Sequence, residues 1–149
     1  MRSVIQRVSS CRVRVEDNVV GQIGPGLLVL LGVEQGDGPE DLRYTADKLL
    51  GLRVFNDDQG KMNLSVQDTG GKILVVSQFT LLGDARRGRR PSFIRAADPE
   101  HGKRLYQQMI DYLKQQGAAV ESGQFQADMK VELINDGPVT LLIDSRKTF

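Results

Sequence analysis

The chain has 149 residues, 40% of them hydrophobic and 26% charged, with a net charge of +1. That fits one globular domain over residues 1–149, and the near-balanced charge excludes a nucleic-acid surface spread over the whole molecule. A single cysteine, Cys11, excludes an intramolecular disulfide and a cysteine-based metal cluster and fits a reducing cytoplasm. No apolar run is long enough for a membrane-spanning helix, and Met1-Arg2-Ser3-Val4-Ile5-Gln6-Arg7 has no signal-peptide core.

Residues 2–16 read as a strand, with Val13 and Val15 alternating against Arg12, Arg14 and Glu16. Ser9-Ser10-Cys11 breaks the alternation, as a bulge does. Asp17-Asn18 is a turn signal, and Val19-Val20 begins a returning strand. Gly24-Pro25-Gly26 breaks the chain, and Leu27-Leu28-Val29-Leu30-Leu31 predicts a strand covered on both faces.

Gly36-Asp37-Gly38-Pro39 opens a helix whose apolar positions Leu42, Ala46, Leu49 and Leu50 run to about Gly51. A short strand is expected at Leu52-Arg53-Val54-Phe55, then a turn at Asn56-Asp57-Asp58-Gln59-Gly60 within a polar, glycine-bearing stretch. The apolar run Ile73-Leu74-Val75-Val76 predicts a buried central strand over 72–81. Its end, Ser77-Gln78-Phe79-Thr80-Leu81, is polar, and a buried polar group needs a partner. Those residues either cap the strand or face a ligand.

Residues 83–92 are a loop holding Arg86, Arg87, Arg89 and Arg90. Such a cluster is either a solvated charge run or a contact for phosphates, onto which guanidinium groups fork. Asp98-Pro99-Glu100 starts a second helix, Leu105, Met109 and Leu113 mark its apolar face, and Gly117 ends it. Strands are expected at about 118–124, 129–135 and 138–145, with Asp136-Gly137 as a hairpin turn. Strands with two helices, not in regular alternation, predict an α+β domain built on a compact mixed, barrel-like sheet.

Typical catalysts are missing. His101, the lone histidine, sits in the first turn of a helix, so a Ser-His-Asp triad is not expected. One His and one Cys cannot make a typical structural zinc site, acidic turns such as Asp57-Asp58 are turn formers, and no metal or cofactor is expected. Gly21-Gln22-Ile23-Gly24-Pro25-Gly26 opens no helix and is read as a turn.

Two separated motifs carry a resemblance. Ser77-Gln78-Phe79-Thr80-Leu81 together with Asn135-Asp136-Gly137-Pro138-Val139-Thr140 resembles the D-aminoacyl-tRNA deacylase family of the D-tyrosyl-tRNA deacylase type. The opening residues with Gln6-Arg7-Val8, and Phe125 to Val131 with Ala127-Asp128-Met129, are similar too. The likeness covers essentially the whole chain; Gln126 stands where it implies glycine.

The resemblance implies an ester hydrolase that frees D-amino acids from tRNA, and glycine mischarged on the alanine tRNA. It implies a homodimer with sites at the interface, where a cis Gly137-Pro138 bond reaches into the partner's site and rejects L-aminoacyl esters. Ser77, Gln78, Phe79 and Thr80 are the implied catalytic stretch. Backbone N–H groups around Gln78, Phe79 and Thr80 would hold an oxyanion, while Thr80 orients substrate or acts as nucleophile. Asn135, Gly137, Pro138, Met129, Phe125 and Arg7 are the implied chiral-selection set, with Arg7 bracing the Gly-Pro loop. Arg86, Arg87, Arg89 and Arg90 are assigned to the acceptor end of aminoacylated tRNA, whose terminal adenosine carries the ester. The alternative reading is a non-catalytic RNA- or DNA-binding protein that uses the arginine loop alone.

Overall fold

The computed structural model describes residues 1–149. Strand β1 (Arg2–Val15) organises the sheet. Along one edge it pairs antiparallel with β8 (Met129–Asp144). Along the other, its first half pairs with β3 (Gly26–Gly32) and its second with β2 (Asn18–Ile23). Beyond β3 come β6 (Lys72–Ser77) and β7 (Ala119–Ser122), both in parallel register. The sheet is therefore mixed. It curls until β2 nears β7, so that a Cβ on Gly21 would lie 2.4 Å from the Ser122 carbonyl oxygen. The result is a nearly closed barrel. A short hairpin, β4 (Phe55–Asn56) with β5 (Met62–Leu64), stands apart.

Helix α1 (Pro39–Gly51) and helix α2 (Pro99–Gln115) cover one face. Pro39 and Pro99 occupy first-turn positions, where a missing N–H costs nothing. Their apolar stripes, Leu42, Ala46 and Leu49 from α1 and Leu105, Met109 and Leu113 from α2, join Leu27, Val29, Ile73 and Val75 in the main core. On the opposite face Val8, Cys11, Val13, Leu28, Leu74 and Val76 form a second core. Strands β3 and β6 are thus covered on both sides, as their unbroken apolar runs require. Burial pushes the Cys11 thiol up to about 11, which leaves it inert near neutral pH.

Three expectations are corrected. The central strand stops at Ser77 and gives way to a 3-10 turn over Phe79–Leu82, because Gln78 departs from extended geometry. The strand expected at 52–55 starts only at Phe55, and its partner β5 lies inside the polar, glycine-bearing stretch, where only a turn was expected. The two strands expected at 129–135 and 138–145 are one continuous strand, with no hairpin at Asp136-Gly137. The long partner β1 outweighs the local turn signal, since each half of β8 completes the same ladder. Along that ladder the register slips between Val8 and Ser10, at the interruption read from Ser9-Ser10-Cys11.

Leu49 is fully buried in the main core. Leu49→Ala is expected to cost about 2–5 kcal/mol. Urea unfolding should show a lower midpoint at unchanged slope.

Candidate active site

A cavity of about 630 Å³ opens at the carboxyl end of β6. Val76, Ser77, Gln78 and Phe79 form one wall. Phe125, Gln126, Ala127, Met129 and Val131 form another. The rest comes from Val33, from the segment Phe93 to Pro99, and from Gly102 of α2. Nothing in the sequence marked Phe93, Ala96, Ala97 or Asp98 as part of a site. They arrive through backbone pairing across the chain: Gln35 N–H donates to Arg95 O at 2.9 Å and Ala97 N–H to Val33 O at 2.9 Å.

The Ser77–Thr80 stretch combines committed and free groups. Gln78 N–H is donated to Leu31 O at 2.8 Å, so it is removed from the expected set of oxyanion donors. The N–H groups of Phe79 and Thr80 lead the 3-10 turn and make no hydrogen bond. The Gln78 side-chain amide donates to Thr80 Oγ1. Phe79 is 55% exposed and meets Phe93 edge-on, with ring centroids 5.2 Å apart.

No histidine lines the cavity beside these groups. His101 Nδ1 lies 2.7 Å from Arg104 Nη2. A guanidinium can only donate, so Nδ1 accepts and Nε2–H donates to the Asp37 carbonyl at 2.8 Å. Asp98 accepts the His101 N–H at 3.0 Å as the N-cap of α2, and that bond holds its carboxyl below the usual carboxylate range. No cluster of three His, Cys, Asp or Glu side chains is placed to hold a metal ion.

The second motif lies elsewhere. Gln6 faces Thr140 and Val8 faces Asn135, so two steps along β1 correspond to five along β8. The surplus residues Asp136–Val139 bulge outward opposite Arg7, and the Gly137–Pro138 bond is cis. Arg7 is only 8% exposed. Its Nε donates to Asp136 O at 3.0 Å and its Nη1 to Val54 O at 2.8 Å. Asn135 Nδ2 spans the neck of the bulge, donating to Arg7 O and Val139 O, each at 3.0 Å. Gly137 and Pro138 are exposed on a strand with one free edge, and neither lines the cavity of its own chain. Of the chiral-selection set, then, Phe125 and Met129 join the cavity, and Arg7, Asn135, Gly137 and Pro138 form a separate braced bulge.

The arginine loop projects from the cavity rim. Asp84 and Ser92 close it with reciprocal backbone bonds of 2.8 and 3.0 Å, next to Phe93. Arg86 is tied to Asp84, Nη2 to Oδ2, at 2.6 Å. Arg87, Arg89 and Arg90 are exposed and have no ion-pair partner.

The sequence matches the model of the family described as D-Tyr-tRNA(Tyr) deacylase over residues 4–144. A protein of Desulfitobacterium hafniense named D-aminoacyl-tRNA deacylase is 60% identical over the full length of both chains. One of the same name from Thermotoga petrophila is 56% identical, again over the whole of both. A solved structure titled c-Myc DNA Unwinding Element Binding Protein superposes with a TM-score of 0.92 at 37% identity, covering 97% of this chain and 98% of that one. A second, of a probable eukaryotic D-amino acid tRNA deacylase, shares the fold with a TM-score of 0.77 at 20% identity, covering 95% and 97%.

The Asp98 cap sets a pH signature. Its folded pKa lies below its unfolded value, so its stabilisation is complete above the unfolded value of about 3.9 and is lost as pH falls through the folded one. Asp98→Ala should therefore melt below the parent at neutral pH, and the gap should close in scans taken at progressively lower pH below about 4.

Proposed function

The chain belongs to the D-Tyr-tRNA(Tyr) deacylase family, and from that premise we propose how it works as a hydrolase of D-aminoacyl-tRNA and what it accepts. The observation that carries the reading is a largely apolar cavity whose wall ends at the unpaired Phe79 N–H, followed in the chain by that of Thr80, with no histidine in its lining and its one carboxylate, Asp98, taken up in capping α2.

Ester hydrolysis needs an attacking water and a place for the charge that develops on the carbonyl oxygen. The Phe79 and Thr80 N–H groups supply that place. The terminal ribose of tRNA carries a hydroxyl beside the ester, and this substrate group positions the water in the base's stead. Thr80 Oγ1, held by the Gln78 amide, orients the substrate. Ser77 lines the floor of the same wall.

D and L esters have identical bonds and differ only in shape about one carbon, so rigid backbone is what can separate them. The Asp136–Val139 bulge is such backbone, pinned by Arg7 and Asn135. Because Gly137 and Pro138 lie outside their own cavity, they act on the cavity of a second copy. Two copies meet along the free edge of β8, which carries the exposed Ile134 and Leu142. Shape exclusion removes an L side chain and cannot remove glycine, so glycyl-tRNA, including glycine mischarged on the alanine tRNA, is also cleaved. The enzyme works as one domain over residues 1–149 in the cytoplasm.

Release of labelled amino acid from matched D-Tyr-tRNA, L-Tyr-tRNA and Gly-tRNA tests this. Rapid loss is expected from the D and glycyl esters and none from the L ester. A Cβ on Gly137 would lie 2.9 Å from both Arg7 Nη2 and Val139 Cγ2, at a φ of +127°. Gly137→Ala should therefore displace the bulge and raise the ratio of L to D cleavage. Binding of all three tRNAs without any hydrolysis would leave only the nucleic-acid-binding reading.

The unpaired Arg87, Arg89 and Arg90 meet phosphates of the acceptor end. Replacing all three by Gln should reduce the slope of log affinity against log salt by about two, from ~0.7 per single-strand phosphate contact. Binding measured at several salt concentrations checks it, and an unchanged slope would remove the loop from the interface.

A further inference from the structure

Three non-glycine residues hold left-handed backbone: Glu16 at a φ of 54°, Gln126 at 62° and Lys147 at 55°. Of these, Gln126 alone lines the cavity. Glycine takes this conformation without penalty, whereas a glutamine must be held there by its surroundings. They do hold it. On one side Phe125 packs against Tyr106, with ring centroids 5.7 Å apart. On the other, Gln124 N–H donates to Met129 Sδ at 3.4 Å, and Ala127 N–H closes the turn onto Gln124 O at 3.3 Å.

The cavity's polar side chains are mostly committed. Asp98 accepts from His101 N–H, and the Gln78 amide donates to Thr80. Ser77 belongs to the wall assigned to the ester. On the opposite wall, among Phe125, Met129 and Val131, Gln126 brings an amide with donor and acceptor both free. An apolar group against that amide would strip its water and return nothing. A hydroxyl or amide would pair with it.

We propose that Gln126 sets the acyl side-chain preference, its carboxamide pairing with a hydrogen-bonding group on the substrate side chain. This rests on the deacylase reading and adds a preference among D side chains to it. Esters of D-tyrosine and D-phenylalanine on the same tRNA differ by one hydroxyl and form the probe pair. The parent is expected to favour the D-tyrosyl ester in kcat/KM by roughly three- to ten-fold, the range of one neutral hydrogen bond. In Gln126→Leu and in Gln126→Gly the ratio of the two kcat/KM values should fall to about one. Gln126→Gly relieves the left-handed backbone, so its melting temperature should equal or exceed the parent's, which separates a lost contact from a damaged fold. Equal ratios in the parent and both variants would overturn the proposal while leaving the deacylase reading intact, as would an equal loss of both esters. No hydrolysis of either ester by the parent would overturn both.

Discussion

A cation buried in a strand has to be answered by the chain around it. Arg7 sits in β1 with its guanidinium nearly out of water, where an unpaired charge costs several kcal/mol. Two backbone carbonyls, Asp136 O and Val54 O, answer it. Neither is in place by the regular sheet alone: β8 must bulge to bring up the first, and the segment before β4 must run alongside for the second. The Asp136 carboxylate adds a longer contact, Oδ2 to Nε at 3.6 Å. One side chain thus couples the sheet, the β4 hairpin and the bulge. The bulge owes its fixed shape to a buried ionic requirement.

The cavity follows a different economy. Its walls come from segments far apart in sequence, and almost every polar group among them is committed to holding a wall in position. Asp98 starts α2, the Gln78 N–H ties the end of β6 to β3, and the Gln78 side chain holds Thr80. What remains free is small: two N–H groups, the Ser77 hydroxyl and the Gln126 amide. A cavity with no histidine in its lining, whose one carboxylate, Asp98, is taken up in capping α2, leaves few free polar groups. It also makes the geometry of the free donors, rather than any pKa, the property that the fold must protect.

The sequence made elements legible wherever local chemistry and tertiary context agreed. Pro39 and the Asp98-Pro99 pair start the helices where expected, and the apolar runs of β3 and β6 are buried on both faces. It misled where a local signal met a stronger long-range partner. Asp136-Gly137 has the composition of a hairpin turn, but β1 is long enough to pair both flanks of it, so the strand continues. The end of β6 was placed too late because Phe79 and Leu81 look like strand residues, although their backbone turns into 3-10 geometry. The resemblance named the motif residues, but the shape of the bulge that holds Gly137 and Pro138 apart from the cavity was not legible. That separation depends on register, and no short window of sequence contains the register of β8 against β1.

Phe93, Ala96 and Ala97 show where such reading stops. Their identities are ordinary, and their place in the cavity comes from two backbone bonds to Gln35 and Val33, partners some sixty residues earlier. Backbone bonds carry no side-chain signature, so nothing in the composition could have disclosed them. The same segment leads directly back to the arginine loop through Ser92. A polyanion held by Arg87, Arg89 and Arg90 would therefore lie against the strand-like closure that ends at Phe93, and Phe93 touches Phe79 on the cavity wall. The two aromatic rings thus join the charged loop to the cavity wall.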